Sequence, residues 1–139
     1  MRITAIVLLL VSACLAFFTV TNSSTGENIV ITITTDDLRR EFEVNPTEAE
    51  KRYTGKTLQV TGIVFERAQP KDNIPKKNAS YLAFGDYDKD EVLLLCYFDT
   101  VHATSQIKRQ DTVTLQGKFD MFSQKGLKMI ILRECKINP

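Results

Sequence analysis

Apolar and polar residues alternate most clearly between Tyr53 and Gly62. In Y-T-G-K-T-L-Q-V-T-G, an extended chain puts Leu58 and Val60 on one face and Gln59 and Thr61 on the other. The glycine that closes the run predicts a strand that bends as it enters a small curved sheet. The same pattern returns in D-T-V-T-L-Q-G-K, from Asp111 to Lys118. The period of two predicts five strands, over residues 56–67, 81–84, 92–98, 113–121 and 127–137. Residues 101–107 predict a short helix or an irregular crossover between the third and fourth strands. Residues 69–79, with Pro70 and Pro75, read as a polar loop, and residues 85–90 and 123–126 as turns.

Ahead of the strands the period is helical. Thr34 or Thr35 suits an N-cap, with Asp36 and Asp37 favourable in the first turn. Leu38 and Phe42, four residues apart, share one face. Asn45-Pro46 interrupts, and residues 47–53 predict a second helical stretch. Residues 29–33 are β-branched and predict a short extended segment.

Residues 3–20 carry no charge, and Arg2 is the only basic residue before them. A first helix that is apolar all round has nothing in so small a protein to cover it, so this segment reads as targeting or anchoring sequence. Three readings stand. Val11-Ser12-Ala13-Cys14 resembles a lipobox, with lipidation at Cys14. The segment is also near the lower limit of about 17–25 residues for a membrane-spanning helix. A cleavable signal would be cut within residues 21–25. All three carry the following domain out of the cytoplasm, to the periplasm or cell surface. The expected organisation is therefore a signal peptide, lipoprotein signal or anchor over residues 1–20, a spacer over 21–33, and one domain over 34–139.

The chain has 18 Lys+Arg and 17 Asp+Glu. Without Arg2 the balance is 17 against 17, so the remainder is neutral. A protein that grips a phosphate backbone normally shows a basic excess or face, so neutrality lowers the expectation of a nucleic-acid partner.

Five strands, the first long and kinked, with a crossover between the third and fourth, specify a mainly β protein: a five-stranded OB-fold barrel with a short helical preface. Y-T-G-K-T-L-Q-V-T-G, Cys96-Tyr97-Phe98, V-T-L-Q-G-K, Gly126-Leu127 and Cys135-Lys136-Ile137 follow one another in an order that resembles the tRNA anticodon-binding-like OB-fold family of exported bacterial proteins, described as OB-fold lipoproteins. The resemblance covers about residues 34–137. It implies fold kinship with an anticodon-binding domain and supplies no catalytic residue to carry over. The turn Lys108-Arg109-Gln110-Asp111 lacks the glycine often found there.

Candidate chemistry is sparse. Cys96 and Cys135 fall on the third and fifth strands, neighbours in such a barrel. With Cβ atoms within about 4.5 Å they could bridge, for about 2–4 kcal/mol of stability. They could equally be two buried thiols, or serve metal or redox chemistry, although without a histidine partner they make a poor zinc site. Asp86, Asp88 and Asp90 begin like a calcium loop, but the sixth and twelfth positions are Glu91 and Tyr97 rather than Gly and Glu, which excludes an EF-hand. His102, the single histidine, has no constellation around it. OB-folds bind ligands across their second and third strands. Phe84 and Phe98 are assigned to the core, leaving Tyr81, Tyr87 and Tyr97, with Lys71, Lys76 and Lys77 of the preceding loop, as candidate ligand contacts. No cofactor, metal or catalytic activity is expected. The expected function is a membrane-tethered binding module for a protein, peptide, glycan or small ligand. A nucleic-acid-binding OB-fold is the alternative, and a redox or metal protein the third reading.

Overall fold

The computed structural model describes residues 29–68 and 80–138. The proposed anchor, Cys14, Lys71, Lys76 and Lys77 lie outside them. Among the described residues no helix is long and apolar enough to cross a membrane.

The chain opens with strand β1 (Val30–Thr34), then helices α1 (Thr35–Val44) and α2 (Pro46–Tyr53). Strands β2 (Thr57–Ile63), β3 (Glu66–Ala68), β4 (Ser80–Phe84) and β5 (Leu93–Phe98) follow. A 3-10 helix (Val101–Thr104) leads to β6 (Thr112–Ser123) and β7 (Met129–Ile137). Local chemistry sets the helix ends. The Thr34 hydroxyl accepts from the Asp37 N–H at 3.1 Å, and the Asn45 side chain accepts from Glu48 N–H at 3.2 Å. Asn45 also donates its own N–H to the Glu41 carbonyl, so one residue ends α1 and starts α2. Pro46 then needs no hydrogen-bond partner at the first helical position.

The sheet has seven strands in the order β1-β2-β6-β7-β5-β4-β3. This corrects the expected count of five, for two reasons. Residues 30–33, the end of the segment taken as spacer, join the sheet with Thr34 as β1, parallel to β2, with Val30 opposite Thr57 and Thr34 opposite Thr61. The long first strand also divides. Val64 donates to Asp111 and accepts from Gln110, at the end of the β2–β6 ladder, whereas Phe65 donates to Ala83 on β4. Successive residues thus bond to opposite margins of the sheet.

Gly62 has a different role from the expected bend. It lies within the regular β2–β6 ladder, opposite Val113. A Cβ there would stand 2.0 Å from Oγ1 of Thr35, a buried residue at the start of α1. The missing side chain lets the helix seat against the strand.

The core lies between the helices and the inward face of the sheet. Leu58, Val60, Leu82, Leu94, Leu115 and Leu132 line it, and Phe84 and Phe98 are buried as expected. Phe42 of α1 closes one end, its ring 5.8 Å from Phe119 and 4.9 Å from Phe122. The last two strands begin and end within two residues of expectation, and the crossover takes the short-helix alternative.

Candidate functional site

The outward positions of β4 and β5 hold Tyr81 and Tyr97, and the turn after β4 holds Tyr87, the three tyrosines singled out above. Leu82, Phe84, Cys96 and Phe98 face the core, so alternation turns Tyr81 and Tyr97 outward. They are register partners, with ring centroids 5.5 Å apart. Tyr87 arrives from the turn after β4, where Gly85 takes φ 100 and the Asp86 carboxylate accepts from the Asp88 N–H at 2.9 Å. Its hydroxyl is hydrogen-bonded to Glu66 and Tyr81, and its ring meets Phe65 edge-on at 5.5 Å.

Two arginines extend the row. Arg109 lies over Phe65 at 4.6 Å and Arg133 over Tyr97 at 5.4 Å. The result is a continuous stripe, Arg109–Phe65–Tyr87–Tyr81–Tyr97–Arg133, of four rings between two guanidinium groups. On the same outer face, Ala83, Leu93 and Leu95 are only 0 %, 1 % and 7 % exposed. Burial, then the nearby Tyr81 and Glu66, push the Tyr87 hydroxyl far up; burial and Glu66 raise Tyr81. Both phenols stay neutral hydrogen-bonding groups at ordinary pH.

Arg109 is held by a tight turn. Asp111 donates its N–H to the Lys108 carbonyl (3.2 Å) and its carboxylate accepts from Lys108 N–H (2.8 Å). Gln110 occupies φ 74, the place where the sequence lacked a glycine. A cleft of about 570 Å3 opens beside the turn, lined by Phe65, Glu66, Arg67, Ile107, Lys108 and Arg109. A larger groove of about 1020 Å3 runs along α1 and α2. Its cations are matched there: Arg40 with Asp37, Lys51 with Glu48 and Arg52 with Glu41. No unmatched charge marks it for a ligand.

Phe65, Arg109 and Arg133 were absent from the sequence candidates. Phe65 was legible, because Leu58, Val60 and Val64 face inward and leave it outward. The arginines were not, since the fold brings them from a turn and from β7.

The other candidates take structural positions. Asp90 pairs with Lys128 (3.5 Å), Glu91 with Arg39 (2.5 Å), and Asp86 with Lys89 (3.9 Å). Among the described residues, no group of three or more His, Cys, Asp or Glu side chains is placed to hold a metal. His102 is exposed on the 3-10 helix. Cys96 and Cys135 are both buried and both free, with their side chains hydrogen-bonded to each other. Burial, then Cys135, raises the Cys96 thiol well above its usual range.

Parallel β5 and β7, antiparallel neighbours elsewhere among β2–β7, and a first strand shared between two margins define a domain of OB type. The chain belongs to the tRNA_anti-like family, whose pattern it matches over residues 1–136. It is similar in fold to a candidate nucleic acid-binding lipoprotein from Klebsiella pneumoniae subsp. pneumoniae MGH 78578, with TM-score 0.57 and 15 % identity, covering 79 % of this chain and 92 % of that one. A candidate aspartyl-tRNA synthetase from Leishmania major Friedlin matches with TM-score 0.45 and 11 % identity over 85 % of this chain and 22 % of that one. The yeast Stn1 and Ten1 structure matches with TM-score 0.43 and 11 % identity, over 84 % and 66 %. No curated protein matches the chain.

Proposed function

We propose that this protein is a non-enzymatic binding module, tethered outside the cytoplasm through residues 1–20, that holds its ligand on the outer face of β3, β4 and β5. Lipidation at Cys14 is one of the three tethering modes, and Lys71, Lys76 and Lys77 lie in the chain between β3 and β4, as further candidate contacts. On this reading β2 and β3 act as one bent strand that completes an OB barrel. The observation that carries the proposal is the stripe of four rings closed at each end by arginine. Such a surface takes ligands with flat faces: bases stack on aromatics for about 1–3 kcal/mol each.

Single-stranded nucleic acid is the favoured ligand class, although neutrality argued against it at the level of the whole chain. The arginines beside the rings favour it, and the similar Klebsiella protein is described as nucleic acid-binding. The charge count makes this quantitative. Arg133 is already paired with Asp120 at 2.6 Å, and Arg109 has no ion-pair partner among the described residues. Binding through Arg109 alone would give a shallow salt slope, about −0.7 in log K against log salt for each phosphate neutralised.

A labelled single-stranded oligonucleotide, followed by fluorescence anisotropy at several salt concentrations, tests both steps. Tyr97→Ala is expected to weaken binding by about 1–3 kcal/mol, and Arg109→Ala to flatten the salt slope. Absence of binding at low salt removes nucleic acid as the ligand. Binding that ignores Tyr97→Ala, in a variant with unchanged melting, removes the face itself.

A further inference from the structure

Cys96 and Cys135 meet in the core by a route that a regular ladder does not provide. β5 and β7 run parallel, and their register sets Cys96 opposite Leu132. Along β7 the inward residues are Ile130 and Leu132, so strict alternation makes residue 134 the next. Instead Glu134 is exposed, paired with Lys118 at 2.7 Å, and Cys135 is buried. The chain absorbs the odd residue by setting Glu134 at φ 51, a left-handed conformation uncommon for residues with a side chain. Opposite it, the β6–β7 register shifts between Gln116 and Lys118. This is the geometry of a bulge, which re-aims the side chain that follows. Gly117 completes the arrangement, because a Cβ there would stand 2.5 Å from Sγ of Cys135. A left-handed glutamate, a register shift and a glycine together bring one thiol onto the other.

The geometry points to Cys96 and Cys135 as a disulfide site, whose closure staples β5 to β7 through the core. Closure breaks two S–H bonds and forms one S–S bond. The two electrons pass to a disulfide oxidant, a small molecule or an exchange protein, which is released as two thiols carrying the two protons. Cys135, 6 % exposed, meets the oxidant first; Cys96, at 0 %, then displaces it from the mixed disulfide.

The test is to incubate the full chain with mixed reduced and oxidised glutathione, block remaining thiols and digest with trypsin without reductant. The expected product links peptide 90–108 to peptide 134–136 and is lighter by two hydrogens than the sum of the two. Blocked thiols at both positions overturn the proposal. So does glutathione retained on Cys135, which would show that Cys96 does not reach it. Glu134→Gly provides a second readout: it keeps the bulge at lower conformational cost, and the same link is expected to form. A loss of the link in that variant, with folding retained, also counts against the assignment.

Discussion

Gln110 shows how one residue can hold a site at the expense of stability. Its φ of 74 belongs to a region that costs a side-chain-bearing residue about 1–2 kcal/mol. The turn it completes places Arg109 over Phe65. Gln110→Gly relieves the conformation but restores some entropy to the unfolded chain. The net expectation is a gain of about 1 kcal/mol, read as a higher Tm in thermal unfolding. An unchanged or lower Tm would show that the glutamine side chain offsets its own backbone. Gly62 teaches the complementary lesson. The strand pattern marked it as a hinge, yet its backbone is ordinary and its value is the space it leaves for Thr35. A sequence shows that a glycine is present, but what approaches it comes from another element.

At the scale of elements, α1 is fastened to the sheet by an arginine that no local pattern announced. Arg39 donates from Nε to the Val92 carbonyl (2.6 Å), from Nη2 to Glu91 (2.5 Å) and from Nη1 to Asp36 (3.0 Å). Glu43 accepts from the N–H of the same Val92 at 3.1 Å, so both backbone groups of a fully buried residue are satisfied by one helix face. Arg39→Met leaves the Val92 carbonyl and Glu91 without that donor, an expected loss of about 2–3 kcal/mol allowing for the partial exposure of Glu91. Arg39→Lys is expected to recover only part of it, since an ammonium lacks the planar fork. Urea midpoints of the two variants check the order; equal midpoints would remove the clamp.

The helices themselves were legible because caps and a four-residue apolar spacing are local signals, as at Thr34, Leu38 and Phe42. Two features of the sheet were not. β1 is a half-exposed edge whose membership depends on pairing with β2 across two helices. The division into β2 and β3 changes the hydrogen-bond partner between Val64 and Phe65, while Leu58, Val60 and Val64 keep to the inward face right up to the break. A periodicity records faces, and partners leave no mark on it. The same limit explains the site: Tyr81, Tyr87 and Tyr97 could be read from β4, β5 and their turn, but Arg109 and Arg133 come from elsewhere in the chain.

The molecule as a whole has an alkaline weakness. Tyr53, Tyr81, Tyr87 and Cys96 all hold their protons more tightly in the fold than outside it, burial being the first cause in each. Unfolded thiols ionise near about 8.5 and phenols near about 10. Above those values the unfolded chain has released protons that the folded chain retains, so stability falls as pH rises. With reductant present, the urea midpoint is expected to be level in this respect below about pH 8 and to decline between about pH 9 and 11. A level midpoint through pH 11 would contradict the raised phenols.

The last described residue also constrains the whole. Asn138 donates its backbone N–H to Thr114 and its side-chain amide to Gln59 at 3.0 Å, and Gln59 is the register partner of Thr32 in β1. The way into the domain and the way out of it therefore lie at one rim. A fluorescent fusion appended at this end would hang beside the β1 edge rather than project from the opposite pole, and a short peptide could join residues 138 and 29 in a circularly permuted domain of residues 29–138.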